Sequence, residues 1–210
     1  MDFNFLGDSL KKIIVIFGTR PEVIKLAPVI LELKKYPYLY NVVLCNTEQQ
    51  KDISNQALEF FGLKADISLD SMTNNQTLCQ IQSKILSKLE GVFREHFDLT
   101  IIQGDTMSVF VGALVSFYHK VPIAYVESGL RSNDLFEPFP EEVIRQCVSR
   151  IARIHFVPSS QSKSNLIREN IHSNIYQVGN TSIDALSLLS QNSMQQSLQF
   201  FDNLVGGGAF

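Results

Sequence analysis

The stretch KKIIVIFGTRPEVIKLAPVI, residues 11–30, decides the fold. Lys11–Phe17 is a short β-branched run, which reads as a strand buried on both faces. It stops at Gly18-Thr19-Arg20, and Pro21 then suits the first turn of a helix. From Glu22 to Lys35, the apolar residues Ile24, Ala27, Val29, Ile30 and Leu33 form a helical stripe. A buried strand, a tight turn and a helix make the first half of a βαβ unit.

The rest of the chain repeats that unit. Strands are expected at Asn41–Cys45, weakly at Asp66–Leu69, and at Leu99–Gln103, Val121–Val126, Ala152–Val157 and Ile175–Val178. Helices are expected near Gln49–Phe61, Gln76–Glu95, Met107–His119, Ser159–Glu169 and Ser182–Leu189, with another starting at Glu141. This alternation predicts an α/β fold with a doubly wound, Rossmann-like parallel sheet. In such sheets the loops at the carboxyl ends of the strands form the ligand crevice. Here they hold Gly18–Arg20, Thr47–Gln50, Gly104–Thr106, Glu127–Arg131 and Gly179–Thr181. Residues 1–10 read as an extension and 11–189 as the domain. Residues 190–210, rich in Gln, Asn and Ser before Phe200-Phe201 and a glycine run, read as a linker or tail.

Bulk properties narrow the function. The chain has 210 residues, 45% hydrophobic and 19% charged, with a net charge of −3. That suits one packed domain and provides no basic field for nucleic acid or an anionic membrane. The three cysteines, Cys45, Cys79 and Cys147, are widely spaced, as reduced thiols would be. Met1–Leu10 lacks the apolar core of a signal peptide, and no run is long enough to cross a bilayer. The expectation is a soluble cytoplasmic protein. The four histidines show no metal-ligand spacing, so no metal and no cofactor are expected.

Three constellations carry candidate chemistry. At Gly18–Glu22, backbone N–H groups and the helix dipole, aided by Arg20 and Lys25, could meet an anion or form an ordinary turn. In Gln103-Gly104-Asp105-Thr106, Asp105 could face the crevice as a base, or it and Thr106 could cap the next helix. Glu127 directly follows a buried strand, and Glu141 lies beyond Pro138-Phe139-Pro140 at a helix start. Two such carboxylates meeting across a crevice would split into a proton donor and an acceptor. Glu141 and Glu142 could instead serve the helix dipole, and Arg131 and Arg145 either clamp phosphates or pair with these acids.

Together, FGTRPEVIKLAPVI (17–30), QGDT (103–106), VESGLRS (126–132), PFPEEVIR (138–145) and VGNTSIDAL (178–186) resemble the non-hydrolysing UDP-N-acetylglucosamine 2-epimerases. The resemblance implies the N-terminal half of a GT-B-like two-domain protein, with its site in the cleft between domains and a homodimer through the first domain. It implies inversion at C2 of UDP-GlcNAc to give UDP-ManNAc, through loss and return of the C2 proton and of UDP. By motif position, Asp105, Glu127 and Glu141 would be the catalytic carboxylates. Arg20 and Lys25 would hold the departing diphosphate, and Gln49, Arg131 and Arg145 join them as substrate-binding residues.

The chain departs from the family at Gln49-Gln50-Lys51, where relatives carry Gln-His-Arg, and at Asn75-Gln76, where they carry Arg-Gln. Those segments contact a second, activating UDP-GlcNAc in bacterial relatives. Thr106 stands where hydrolysing relatives carry Arg. The second domain, with its uridine pocket and a catalytic His, is expected beyond the linker and is not among these residues. An epimerase of a modified UDP-sugar, a half without turnover that binds a partner or weakly binds nucleotide sugar, and a glycosyltransferase half are the other readings.

Overall fold

A computed structural model describes residues 10–48, 51–71 and 75–192. The seven strands are β1 (Lys11–Phe17), β2 (Tyr40–Asn46), β3 (Ile67–Ser68), β4 (Leu99–Gln103), β5 (Ile123–Val126), β6 (Ile154–Val157) and β7 (Ile175–Gln177). All adjacent pairs are parallel, in the order β3-β2-β1-β4-β5-β6-β7. The helices between and after them are α1 (Arg20–Lys34), α2 (Lys51–Phe60), α3 (Leu78–Val92), α4 (Met107–Tyr118), α5 (Glu141–Ile151), α6 (Ser160–Arg168) and α7 (Thr181–Asn192). The expected doubly wound α/β sheet is therefore present.

β1 shows why the sequence folds this way. Alternate side chains of a strand point to opposite faces. Ile13, Val15 and Phe17 join Val23, Leu26 and Ile30 of α1 in one core, whereas Ile14 and Ile16 join residues of α3 and α4 in the other. All five of these strand side chains are at most 1% exposed. A strand covered on both faces cannot show polar alternation, which explains its unbroken apolar run.

Boundaries moved where local chemistry intervened. β5 starts at Ile123 rather than Val121, because Val121 N–H still donates to Ser116 of the preceding helix and Pro122 has no N–H for the ladder. α7 runs to Asn192, past the expected domain limit at Leu189. The buried face of α1 is Glu22, Val23, Leu26, Ala27 and Ile30, so the stripe sits one residue away from the expected one. Ile24, Val29 and Leu33 are only partly buried. That shift puts an acid, Glu22, on the core side.

β1 has β2 on one side and β4 on the other, so the chain order reverses at β1/β4. Ligands bind in α/β sheets at such a switch point, outside the carboxyl ends of the strands. The turn after β1 and the loops after β4 and β5 open there. The turn after β1 is tight. A Cβ on Gly18 would fall 2.2 Å from both Thr47 Oγ1 and Ser108 Oγ, which are themselves hydrogen-bonded at 2.6 Å. No helix among the described residues is long and apolar enough to cross a membrane.

Candidate active site

Glu127 is the first residue after β5 and is held at φ 64°. A glutamate in the left-handed region is costly by about 1–3 kcal/mol, a strain that concentrates at functional sites. Its Oε2 accepts hydrogen bonds from Lys25 Nζ of α1 and Gln103 Nε2 of β4, each at 2.6 Å. Oε1 has no partner among the described residues. The Glu127 side chain is 11% exposed, so this acid–cation pair is largely shielded.

Asp105 sits one loop away, at the start of the β4–α4 connection. Its Oδ2 accepts from Arg145 Nε at 2.8 Å and lies 2.6 Å from Arg145 Nη2. Arg145 also reaches Glu142 Oε2 at 3.4 Å. Among the described residues no hydrogen bond joins Glu127 to Glu141, and Asp105 and Glu127 each have a cation of their own. Glu141, first residue of α5, is half-buried, and its Oε2 is buried without a hydrogen-bond partner.

Glu142 behaves differently from its neighbour. It is fully buried and accepts from Ser132 N–H at 3.0 Å and Gln146 Nε2 at 2.9 Å. Burial by itself would raise its pKa, but the Gln146 and Ser132 bonds, with Arg131 and Arg145 nearby, outweigh it and hold the carboxyl below its usual range. It pins the β5–α5 loop to α5 and shares Arg145 with Asp105.

Arg131 is placed where it has no free donor face. Its side chain is 2% exposed; Nε and Nη2 grip Glu169 at 2.6 and 2.8 Å, Nη2 also meets Ser149, and Nη1 meets the Leu130 carbonyl. Its partner is Glu169, an acid that neither sequence reading of Arg131 named. Arg20 opens α1 at the rim of the switch point and is partly buried. Gln49 lies outside the described residues.

The expected anion cradle at the β1–α1 turn is corrected. Gly18 and Thr19 N–H groups do not face outward; they donate to Glu22 Oε2 at 2.6 and 3.0 Å. Thr106 Oγ1 donates to the other oxygen of the same carboxylate. The protein's own acid, 2% exposed, fills that end of the dipole. Any diphosphate held here depends on the side chains of Arg20 and Lys25.

Sequence reading also missed Gln103 and Tyr125. Gln103 orients Glu127, and Tyr125 donates from its hydroxyl to the Gly104 carbonyl at 2.8 Å, bracing the Asp105 loop. Gln103 stands in the QGDT stretch without a role of its own there, and Tyr125 lies inside a buried strand with nothing local to mark it. Glu22 did leave a signal, since Thr19-Arg20-Pro21-Glu22 has capping-box spacing.

The fold and this crevice define an α/β protein with acid–base groups and cations gathered at the switch point of a parallel sheet. Comparison with known proteins makes the assignment specific. A family model described as UDP-N-acetylglucosamine 2-epimerase matches residues 32–205. The UDP-N-acetylglucosamine 2-epimerase of Bacillus subtilis (strain 168) is 43% identical over 178 residues, which is 84% of this chain and 47% of that protein. The crystal structure of the Neisseria meningitidis UDP-GlcNAc 2-epimerase bound to UDP-GlcNAc superposes with a TM-score of 0.83 at 38% identity, over 92% of this chain and 53% of that one. The Methanocaldococcus jannaschii enzyme in complex with UDP-GlcNAc and UDP gives 0.79 at 34% identity, over 94% and 54%. The chain belongs to the UDP-N-acetylglucosamine 2-epimerase family. It spans about half the length of the relatives it matches.

Proposed function

We propose that this chain is the proton-handling half of a UDP-GlcNAc 2-epimerase. Residues 11–189 form its first domain, and residues 190–210 are a linker or tail. The reading is supported most by one observation: Glu127, directly after β5, is held by Lys25 of α1 and Gln103 of β4 at the switch point of the sheet. Relatives solved with UDP-GlcNAc bound support a UDP-sugar as the substrate class.

In this mechanism the C2–H bond of the sugar breaks and its proton passes to a carboxylate. The electron pair forms the C1–C2 double bond as the C1–O bond to UDP breaks. UDP then returns to C1 while a second acid protonates C2 on the opposite face. Removal from one face and return to the other requires two groups, and Glu127 and Glu141 are the two assigned here. Asp105, oriented by Arg145, is the third acid of the site. Arg20 and Lys25 offset the charge developing on the departing diphosphate. Gln49 contacts substrate, and Arg131 and Arg145 shape the site through the acids they hold. The protein acts in the cytoplasm as a homodimer.

The test is NMR of the chain with UDP-GlcNAc in D2O, following deuterium at C2, free UDP and UDP-ManNAc. Deuterium incorporation with UDP-ManNAc is the expected result. Its absence in a folded protein, with exchange restored by adding the second domain of a longer relative, would put catalysis in the two halves together. Absence in both overturns the proposal.

A further inference from the structure

Glu22 is a buried carboxyl beside the crevice that the proposed reaction leaves unused. It is 2% exposed, on the core side of the first turn of α1. One of its oxygens receives Gly18 and Thr19 N–H, immediately before Arg20. The other receives the hydroxyl of Thr106, immediately after Asp105. Thr106 is also the N-cap of α4, accepting Val109 N–H at 3.4 Å. On the other side of Asp105, a Cβ built on Gly104 would lie 3.7 Å from Glu22 Cγ, so the Gly104 backbone rests on the same side chain.

Two helix N-termini, of α1 and α4, therefore converge on a single buried acid. The same two turns are also braced by Tyr125 at Gly104 and by the Thr47–Ser108 pair at Gly18. Asp105 projects from between Gly104 and Thr106, so where those two residues sit decides where its carboxylate points. Resting on the epimerase reading above, we infer that Glu22 is a positioning residue that clips the Arg20 turn to the Asp105 loop and so sets the geometry of the catalytic carboxylate without touching substrate. Burial pushes the Glu22 carboxyl up to about 7, against the lowering effect of the Thr106, Gly18 and Thr19 bonds. A glutamine keeps the shape: its carbonyl oxygen can accept both N–H groups and its amide can donate to Thr106.

The readout is Arg145 Nε–H, which donates to Asp105 and has its own signal in a nitrogen–proton correlation spectrum. Arg131 Nε–H, tied to Glu169, serves as an internal control in the same spectrum. In Glu22→Ala the Arg145 signal should move or broaden while the Arg131 signal stays, and Glu22→Gln should return Arg145 to its wild-type position. An unmoved Arg145 signal in folded Glu22→Ala overturns the inference, as does movement of both signals together, which would mean general loosening. If Glu22→Ala does not fold, Thr106→Val removes the hydroxyl that both reaches Glu22 and caps α4, and it should move Arg145 in the same way. An unmoved signal there also overturns it.

In the turnover assay, Glu22→Ala should lower the rate by about 10- to 100-fold, as small misplacements of catalytic groups do, with Glu22→Gln recovering most of it. Equal loss in both variants would contradict the clip. A wild-type chain without C2 exchange would count against the proposed reaction alone, because the Arg145 signal reads the clip without turnover.

Discussion

Lys25 Nζ and Glu127 Oε2 lie 2.6 Å apart although 102 residues separate them in the chain. Helix α1, which follows β1, supplies the cation, and the residue after β5 supplies the acid. Between them β4 supplies Gln103, so three parallel strands are needed to build one acid–cation pair. Glu127→Gln keeps the size and the contacts but removes the proton acceptor. We expect C2 exchange to fall by about 10²–10⁴-fold, the usual worth of a positioned acid–base group. A thermal melt should hardly change. Substantial exchange by this variant would remove Glu127 from the mechanism.

Arg145 reaches Asp105 through two nitrogens and Glu142 through the third. A lysine supplies one mobile ammonium instead of a planar fork. For Arg145→Lys we expect kcat/KM to fall by roughly ten-fold, a barrier change of about 1.4 kcal/mol. The melt should again be near that of the wild type. A variant with unchanged kcat/KM would show that the two-point grip on Asp105 is irrelevant to the reaction.

Gly18→Ala tests the tightness of the switch-point turn. The added methyl would fall on the Thr47 and Ser108 oxygens, whose mutual hydrogen bond closes the space. Overpacking of this kind costs about 1–3 kcal/mol. Urea unfolding should show that loss, and Gly18→Ala combined with Ser108→Ala should recover part of it. No loss in the single variant would mean that the turn opens freely.

Two buried groups should make stability respond to pH in opposite senses. The Glu22 carboxyl is raised by burial to about 7 from 4.5, so the folded state keeps a proton that the unfolded chain has lost. Its contribution is therefore lost as pH rises from 4.5 through 7. His155, 1% exposed and bonded to Ser128 at 3.0 Å, is lowered by burial to about 4 from 6.5. The unfolded chain binds that proton first, so stability is lost as pH falls from 6.5 through 4. Glu22→Gln should leave a stability that rises with pH across that range, and His155→Gln one that falls. Denaturant unfolding of both variants at pH 5 and pH 7 reads the signs directly. Equal signs would refute the assignment.

Some of the site was legible in the chain alone. Asp105, Glu127 and Glu141 stand at strand ends or a helix start, and backbone periodicity places such residues at the crevice. Arg131 and Glu22 were not legible in the same way. Arg131 lies in the same loop as Glu127, but its guanidinium is taken by Glu169, 38 residues later. Glu22 looks like a first-turn acid in α1, yet the helix turns it toward the core, where Thr106 meets it 84 residues away. Local spacing says which loop a residue belongs to, not which way its side chain turns.

The sequence by itself determined the parallel sheet, because strands buried on both faces need unbroken apolar runs and each crossover needs an amphipathic helix. It also determined which loops gather at the carboxyl ends, since strand direction follows from the alternation. Only the tertiary structure decided the partners of each charge. A buried acid or cation must be paired or hydrogen-bonded to repay its desolvation. Which partner does so depends on distances between residues tens of positions apart, and those distances exist only once the strands lie side by side.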